Sequence, residues 1–184
     1  SVFVQYNGLP LQSNKKYTWR VKVWEDDKNG SEWSSLSKFQ TALLDSSDWH
    51  AKWVSPGFME TKERPSPLFR KAFSSKKKIV QATAFITSHG MYEARINGER
   101  IGDAFLTPGW TSYNKRLQYQ SYDVTGLLKY GDNAIGVILG SGWYRGIIGF
   151  SNNNNSYGTD ISLLFQLNIQ YSDGTEEIIA SDDS

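Results

Sequence analysis

Histidine and cysteine, two residue types that often bind metals or act in catalysis, are scarce in this sequence. The 184 residues include two His and no Cys, which excludes disulfides, cysteine nucleophiles and iron–sulfur clusters. His50 and His89 are far apart in the sequence, whereas a zinc site needs three or four ligands brought close together. We therefore predict no metal site. A calcium site built from loop oxygens stays open, because such ligands can come from distant parts of a chain.

Paired carboxylates would allow another chemistry, the hydrolysis of glycosidic bonds, which places an acid and a base on opposite sides of a sugar. The carboxylates in the region richest in motifs are Glu93, Glu99, Asp103 and Asp123. All four adjoin predicted turns, where Asp commonly bonds backbone N–H groups and charged side chains are solvated. We predict that none of them is catalytic, and we rank a self-sufficient glycosidase last among the candidate functions.

The chain is rich in aromatic residues, with seven Trp and ten Tyr, and these suggest a sugar-binding face. An aromatic ring can pack on the C–H face of a pyranose while Asn, Asp and Arg bond its hydroxyl groups. The candidate sugar-binding residues are Trp110, Trp143, Tyr144, Arg145, Asn97 and Asp103. The competing interpretation, in which these rings belong to a hydrophobic core, stays open.

Three of these candidates lie in the glycine-rich segment Gly140–Gly146. The segment superficially resembles a dinucleotide-binding loop, but the third glycine comes one residue late and no ribose-binding acid follows. We predict instead a loop in which glycine lets the backbone bend around two large rings.

The elements that position these residues are predicted to be short β-strands. In Tyr17–Trp24, apolar residues alternate with Thr, Arg and Lys, as in a strand with one buried face. Asn97-Gly98 predicts a two-residue hairpin between strands 91–96 and 99–105, and Phe165–Tyr171 alternates again. This density of strands and turns predicts an all-β antiparallel sandwich, jelly roll or barrel. A polar break near 45–48 predicts a boundary between residues 1–44 and 45–184.

Charge and hydropathy narrow the range of partners. A formal net charge of +1 gives no reason to expect nucleic acid or an anionic membrane surface, and the apolar stretches are far shorter than the ~18 residues of a membrane helix. The chain begins without Met and stops at Asp182-Asp183-Ser184 in mid-pattern. We therefore expect a fragment of a longer protein. The location stays unknown, and for the parent protein a periplasmic or extracellular one is favoured over a cytoplasmic one.

Several longer motifs, in order, resemble the N-terminal β-sandwich domain of bacterial α-L-rhamnosidases. They are Gly90–Asp103, Leu106–Tyr113, Gln118–Thr125 and Gly140–Gly146. Before them, Tyr17–Trp24 with Trp33-Ser34 and Phe39–Thr41 resembles the end of a fibronectin type III-like or immunoglobulin-like module, and Trp49–Val54 resembles the segment that joins the two. The resemblance covers almost the whole chain and implies a jelly-roll sandwich of the galactose-binding-like type in residues 45–184.

The resemblance implies a parent enzyme that removes terminal L-rhamnose from glycans by an inverting mechanism. Its catalytic acid and base would lie in an (α/α)₆ barrel further along the chain, so no catalytic residue is carried over. Two hypotheses follow: an accessory domain that supports the barrel, or a carbohydrate-binding module for rhamnose-type sugars. Some related domains bind rhamnose with calcium through an Asp-Asn pair before the motif tyrosine. Here His89-Gly90-Met91 precedes Tyr92, which disfavours calcium.

Strand edges suggest one further partner. With so few strands in residues 1–44, the segments Tyr17–Trp24 and Lys38–Leu43 are expected to expose unpaired edges. We expect these edges to pair with the second domain or with another copy of the chain.

Overall fold

The computed structural model describes residues 5–26, 29–58, 63–150 and 152–183. The chain forms two compact units, Ser1–Trp49 and His50–Ser184, and each is described by itself. Apart from two short 3-10 segments and a four-residue helix, the regular structure of the described residues is β-strand. The predicted all-β class is therefore confirmed. Within the described ranges, no helix is long and apolar enough to cross a membrane.

The described part of the first unit contains two antiparallel strand pairs. Strand β1 (Lys16–Trp19) pairs with β4 (Ser37–Gln40), and β2 (Trp24–Asp26) pairs with β3 (Asn29–Gly30). On the first pair, Tyr17 lies opposite Phe39 and the two rings stack with centroids 5.4 Å apart. A 3-10 helix (Ser46–Asp48) closes the unit, with the Asp45 carboxylate accepting a hydrogen bond from the Ser47 backbone N–H.

The predicted continuous strand over residues 17–24, with one buried face, is wrong in two respects. The strand stops at Trp19 because serine hydroxyls replace backbone partners: Val21 N–H donates to Ser34 Oγ and Val23 N–H to Ser31 Oγ. Its apolar side chains are also exposed, by 50% for Trp19 and 62% for Val23. Among the described residues of this unit, each sheet has two strands.

The described residues of the second unit contain two four-stranded antiparallel sheets. One has the strand order β5-β10-β7-β8 and the other β12-β11-β6-β9. The strand bounds are β5 (Leu68–Ser75), β6 (Ile79–His89), β7 (Met91–Ile96), β8 (Glu99–Arg100), β9 (Gln120–Asp123), β10 (Gly131–Gly140), β11 (Ser162–Tyr171) and β12 (Glu176–Ala180). A 3-10 segment (Thr125–Leu127) precedes β10, and a single helix α1 (Gly142–Arg145) follows it.

The core lies between these two sheets, as expected of a β-sandwich. Alternate residues of β10, such as Ile135 and Leu139, pack with alternate residues of β11, such as Leu167 and Ile169. Each is at most 4% exposed, because successive strand residues face opposite sides of a sheet. The alternation predicted for Phe165–Tyr171 is confirmed for its four apolar residues, which are all buried, but Gln166 between them is buried as well.

The predicted hairpin at Asn97-Gly98 is confirmed. Both residues have positive φ, 53° and 89°, which is the backbone that a two-residue type I′ turn requires. The second strand is shorter than predicted, since β8 ends at Arg100. Gly102, with φ of 71°, then turns the chain away from the sheet.

Candidate functional site

Helix α1 lies where the sequence predicted a glycine-rich loop. Its backbone comes close to the start of β7: a Cβ on Gly142 would lie 2.5 Å from Met91 Cγ, and Gly142 has a φ of 51°. Glycine therefore permits both the close approach and the backbone conformation. The short helix directs Trp143 and Tyr144 into a cluster of rings at this end of the sandwich, where β6 ends and β11 begins.

Seven rings form a continuous series that we call the aromatic array. Trp53 stacks on His89 at 4.3 Å between centroids, and His89 stacks on Tyr144 at 4.7 Å. Tyr113 meets both Tyr144 and Tyr157 edge to face, at 5.4 and 5.0 Å. The series ends with Trp110 and Trp143, which stack at 5.9 Å and 6° between planes. Trp110 Nε1 donates to the Tyr157 hydroxyl over 3.2 Å, which joins this pair to the rest.

Solvent reaches the two ends of the aromatic array, while its middle is packed. Trp110 is 53% exposed and Trp53 42%, whereas Tyr113 is 7% exposed. The Tyr113 hydroxyl donates to the Gly109 carbonyl oxygen over 2.9 Å, and burial raises its pKa. Trp143 and Tyr144 are partly buried. Tyr113 therefore belongs to the interior, whereas Trp110 is accessible to solvent. Sugar binding by the exposed rings stays a prediction.

His89, like Trp53, is a member of the array that sequence reasoning missed. Its imidazole lies between the rings of Trp53 and Tyr144, and Nδ1 is 2.9 Å from Ser162 Oγ. Burial lowers its pKa below the ordinary value of 6.5, so the ring is neutral at pH 7. No local motif marks this residue, because its neighbours come from segments far away in the sequence.

Arg145 does not reach the surface that it was predicted to share with the rings. Its side chain is 2% exposed. The guanidinium donates from Nε to Ser141 Oγ over 3.0 Å and from Nη1 to the Thr159 carbonyl oxygen over 3.2 Å. These bonds tie α1 to the segment that leads into β11, so Arg145 holds the helix that carries Trp143 and Tyr144.

The two predicted polar partners, Asn97 and Asp103, are not brought to the array. Gly142 of α1 abuts Met91 at the start of β7. Asn97 lies six residues further along the chain, which places it about 20 Å from Met91 at ~3.3 Å per strand residue. Its amide is used within the fold, donating to the Leu127 carbonyl oxygen and to Asn133 Oδ1. Asp103 is exposed in the segment after Gly102, and its carboxylate has no partner in the described ranges.

Comparison with known proteins decides the family. A family model described as the α-L-rhamnosidase N-terminal domain matches residues 77–184. The chain belongs to this family. A second model, described as a Rha78A-like N-terminal immunoglobulin domain, matches residues 1–45.

Three relatives of this α-L-rhamnosidase N-terminal domain illustrate the match. A Formosa agariphila protein named α-L-rhamnosidase is 37% identical over all of this chain, which spans 21% of that relative. Among solved structures, an Aspergillus terreus α-L-rhamnosidase is 42% identical with a TM-score of 0.87, and covers 95% of this chain and 21% of its own. An α-L-rhamnosidase structure from Dictyoglomus thermophilum is 35% identical with a TM-score of 0.83, and the match covers 98% of this chain and 21% of that one. The chain thus spans about a fifth of these relatives.

Two of the four candidate carboxylates of this α-L-rhamnosidase N-terminal domain take part in an ion pair and in a turn. The Glu93 carboxylate forms an ion pair with Arg95, whose Nη2 lies 2.9 Å from Glu93 Oε1. The Asp123 carboxylate accepts hydrogen bonds from the Thr125 hydroxyl at 2.6 Å and from the Thr125 N–H at 3.1 Å. Glu99 is exposed beside the hairpin turn. Across the described ranges, no group of three or more His, Cys, Asp or Glu is placed to hold a metal ion.

Proposed function

We propose that this chain is a non-catalytic accessory part of an α-L-rhamnosidase, an enzyme that releases terminal L-rhamnose from glycosides. The observation that carries the proposal is the family match over residues 77–184, in a chain that spans about a fifth of its relatives. The placement of Glu93 and Asp123 in an ion pair and a turn agrees with it. The catalytic acid and base then lie in a downstream domain, which the resemblance gives as an (α/α)₆ barrel.

In this proposal, residues 45–184 form a jelly-roll domain that supports the barrel. Residues 1–44 form the C-terminal part of an immunoglobulin-like or fibronectin type III-like module. Partners of the parent enzyme would be a rhamnose-containing glycan and the catalytic domain of the same polypeptide. Pairing of exposed strand edges with another copy stays a prediction.

The proposal is tested by hydrolysis of 4-nitrophenyl α-L-rhamnopyranoside. The present chain should release no 4-nitrophenol above the buffer rate, and the longer protein that includes the downstream domain should release it. Turnover by the present chain alone would overturn the non-catalytic assignment. Failure of the longer protein on this substrate, with hydrolysis of a different aryl glycoside, would overturn the assignment to rhamnosidases.

A second candidate function is carbohydrate binding at the exposed end of the aromatic array. The observation that favours it is the stacked pair of Trp110 and Trp143, in which Trp110 is half exposed. A flat, partly exposed indole is the surface on which the C–H face of a pyranose packs. Asn97, Asp103 and Arg145 do not supply polar contacts in this proposal, because they lie elsewhere or are buried. The Tyr157 hydroxyl, which accepts the Trp110 N–H, supplies the polar edge.

Calorimetric titration with L-rhamnose, with and without calcium, tests this second candidate. Trp110→Ala and Trp143→Ala should each weaken binding about tenfold, the effect of losing ~1.4 kcal/mol. Tyr130→Ala is the matched control, because Tyr130 is 75% exposed and belongs to the turn before β10. Absence of heat at millimolar sugar, or equal affinities for all variants, would remove the carbohydrate-binding candidate and leave the accessory role.

A further inference from the structure

Strand β5 is an edge strand with a row of outward-facing backbone groups. Among the described residues it pairs only with β10, and Leu139 N–H donates to the Pro67 carbonyl oxygen at the start of this ladder. Antiparallel partners alternate between bonded and non-bonded pairs. Phe69 and Lys71 therefore direct their backbone groups toward β10, and Leu68, Arg70, Ala72 and Ser74 direct theirs away from it.

The end of the described chain approaches this same edge. Ser181 still pairs with β11, since its N–H donates to the Phe165 carbonyl oxygen. The next position on β11 is taken by Val54, which exchanges both backbone bonds with Leu163. Asp182 can therefore not continue along β11. It turns instead toward the other sheet, where its carboxylate forms an ion pair with Lys71 of β5, with 2.6 Å between Asp182 Oδ1 and Lys71 Nζ.

Between this turn and β5 lies an open cavity of about 570 Å³. Its walls are core residues of both sheets, Phe69, Ile135 and Val137 from one and Leu163 and Phe165 from the other. Trp53 and Phe58 line it as well, and both are more than 40% exposed. The cavity is open to solvent, and the charged residues Arg70, Lys71, Asp182 and Asp183 stand at its rim, so a further polypeptide segment can enter it and place apolar side chains against these walls.

We propose that the polypeptide following residue 184 in the parent protein runs along β5, adds a strand to that edge and fills this cavity with apolar side chains. The inference rests on the proposed function, because it requires a longer polypeptide of the kind that the relatives have. Addition of a strand satisfies the outward groups of Leu68, Arg70, Ala72 and Ser74. A segment that leaves residue 183 beside Lys71 is present at high effective concentration, which favours it over any partner arriving from solution.

Hydrogen exchange of the outward amides tests the proposal. In the present chain, the N–H groups of Leu68, Arg70, Ala72 and Ser74 should exchange as exposed edge amides do. In the longer protein they should exchange at least about tenfold more slowly. The outward amide of Ser121 on β9, the edge strand of the other sheet, is the internal control and should not change.

A pair of proline variants of the longer protein sharpens this test. Arg70→Pro removes one outward N–H without removing a bond to β10, so it should restore fast exchange at Leu68 and Ala72. Ser121→Pro makes the matching change on β9 and should leave the β5 amides protected. A circular dichroism spectrum and an unfolding curve establish that each variant folds.

Two outcomes would overturn the inference. Equal exchange of the β5 amides in both proteins would mean that nothing covers the edge. Protection in the present chain that rises with its concentration would assign the edge to a second copy instead. Neither outcome depends on catalysis, so hydrolysis of the aryl rhamnoside by the longer protein distinguishes a failure of this inference from a failure of the proposed function.

Discussion

Replacement of Asn97 separates a structural role from the sugar-binding role that the sequence suggested for it. The Asn97 side chain makes three hydrogen bonds: Nδ2 donates to the Leu127 carbonyl oxygen at 2.9 Å and to Asn133 Oδ1 at 2.8 Å, and Oδ1 accepts the Ala134 N–H at 3.0 Å. Its backbone has a φ of 53°. The residue therefore links the β7–β8 hairpin to the turn before β10 and also sets the hairpin conformation.

The magnitudes follow from these two contributions. Asn97→Gly keeps the left-handed backbone but loses the three hydrogen bonds, each worth about 0.5–1.5 kcal/mol net. The free energy of unfolding should therefore fall by roughly 2–4 kcal/mol. Asn97→Ala loses the same bonds and adds about 1–2 kcal/mol for an alanine in the left-handed region. Asn97→Asp keeps the acceptor for Ala134 N–H but places a carboxylate against the Leu127 carbonyl and Asn133 Oδ1, so it should cost at least as much as Asn97→Ala.

Urea unfolding followed by tryptophan fluorescence measures these free energies, and calorimetry with L-rhamnose measures binding in the same variants. Asn152 is the matched control because it also has positive φ, 56°, and is exposed. Asn152→Ala should therefore cost only the backbone contribution. The reasoning would be refuted if Asn97→Gly were as stable as the parent chain, or if it lost sugar affinity while keeping full stability.

Two other predictions concern the end of the sandwich near α1. Because burial lowers the pKa of His89, the unfolded chain binds its proton first as pH falls below 6.5, so stability should decrease there. His89→Gln should flatten that part of a stability–pH profile, and an unchanged profile would contradict the argument. Gly142→Ala should lower thermal stability more than Gly149→Ala. Both glycines have positive φ, but only at Gly142 does a Cβ meet another group, Met91. Equal losses would show that the contact is relieved without cost.

The parts of the fold that were predictable depend on neighbouring residues alone. Alternation in Phe165–Tyr171 specifies which side chains share a face, and Asn97-Gly98 specifies a turn, whatever the rest of the chain does. The helical turn α1 was missed because its stabilising contacts are distant. Arg145 bonds the Thr159 carbonyl, and neither partner is recognisable as such from the Gly140–Gly146 motif.

The aromatic array was only half predictable for the same reason. Composition pointed to Trp110, Trp143 and Tyr144, but not to Trp53 or His89, which the strand register brings to the same end of the sandwich. Ser162 pairs with His89 across the two strands β11 and β6, and Val54 pairs with Leu163. Knowledge of that register would have placed Trp53 and His89 on either side of β11 and on the same face of the sheet, because Trp53 points opposite to Val54 and Ser162 points opposite to Leu163.

Alternating apolar side chains are exposed in Tyr17–Trp24 but buried on β11, although the sequence pattern of the two segments is similar. Alternation predicts that Trp19, Val21 and Val23 share a face in a continuous strand, but burial of that face depends on what covers it. On β11 a second sheet supplies the cover. In the described part of residues 1–49, each sheet has two strands. A two-stranded sheet alone is marginally stable in water. The apolar face of this segment is therefore exposed, because the described residues of this unit form no second layer over it. A partner that packs on this face should slow hydrogen exchange in β1 and β4 and leave exchange in β11 unchanged.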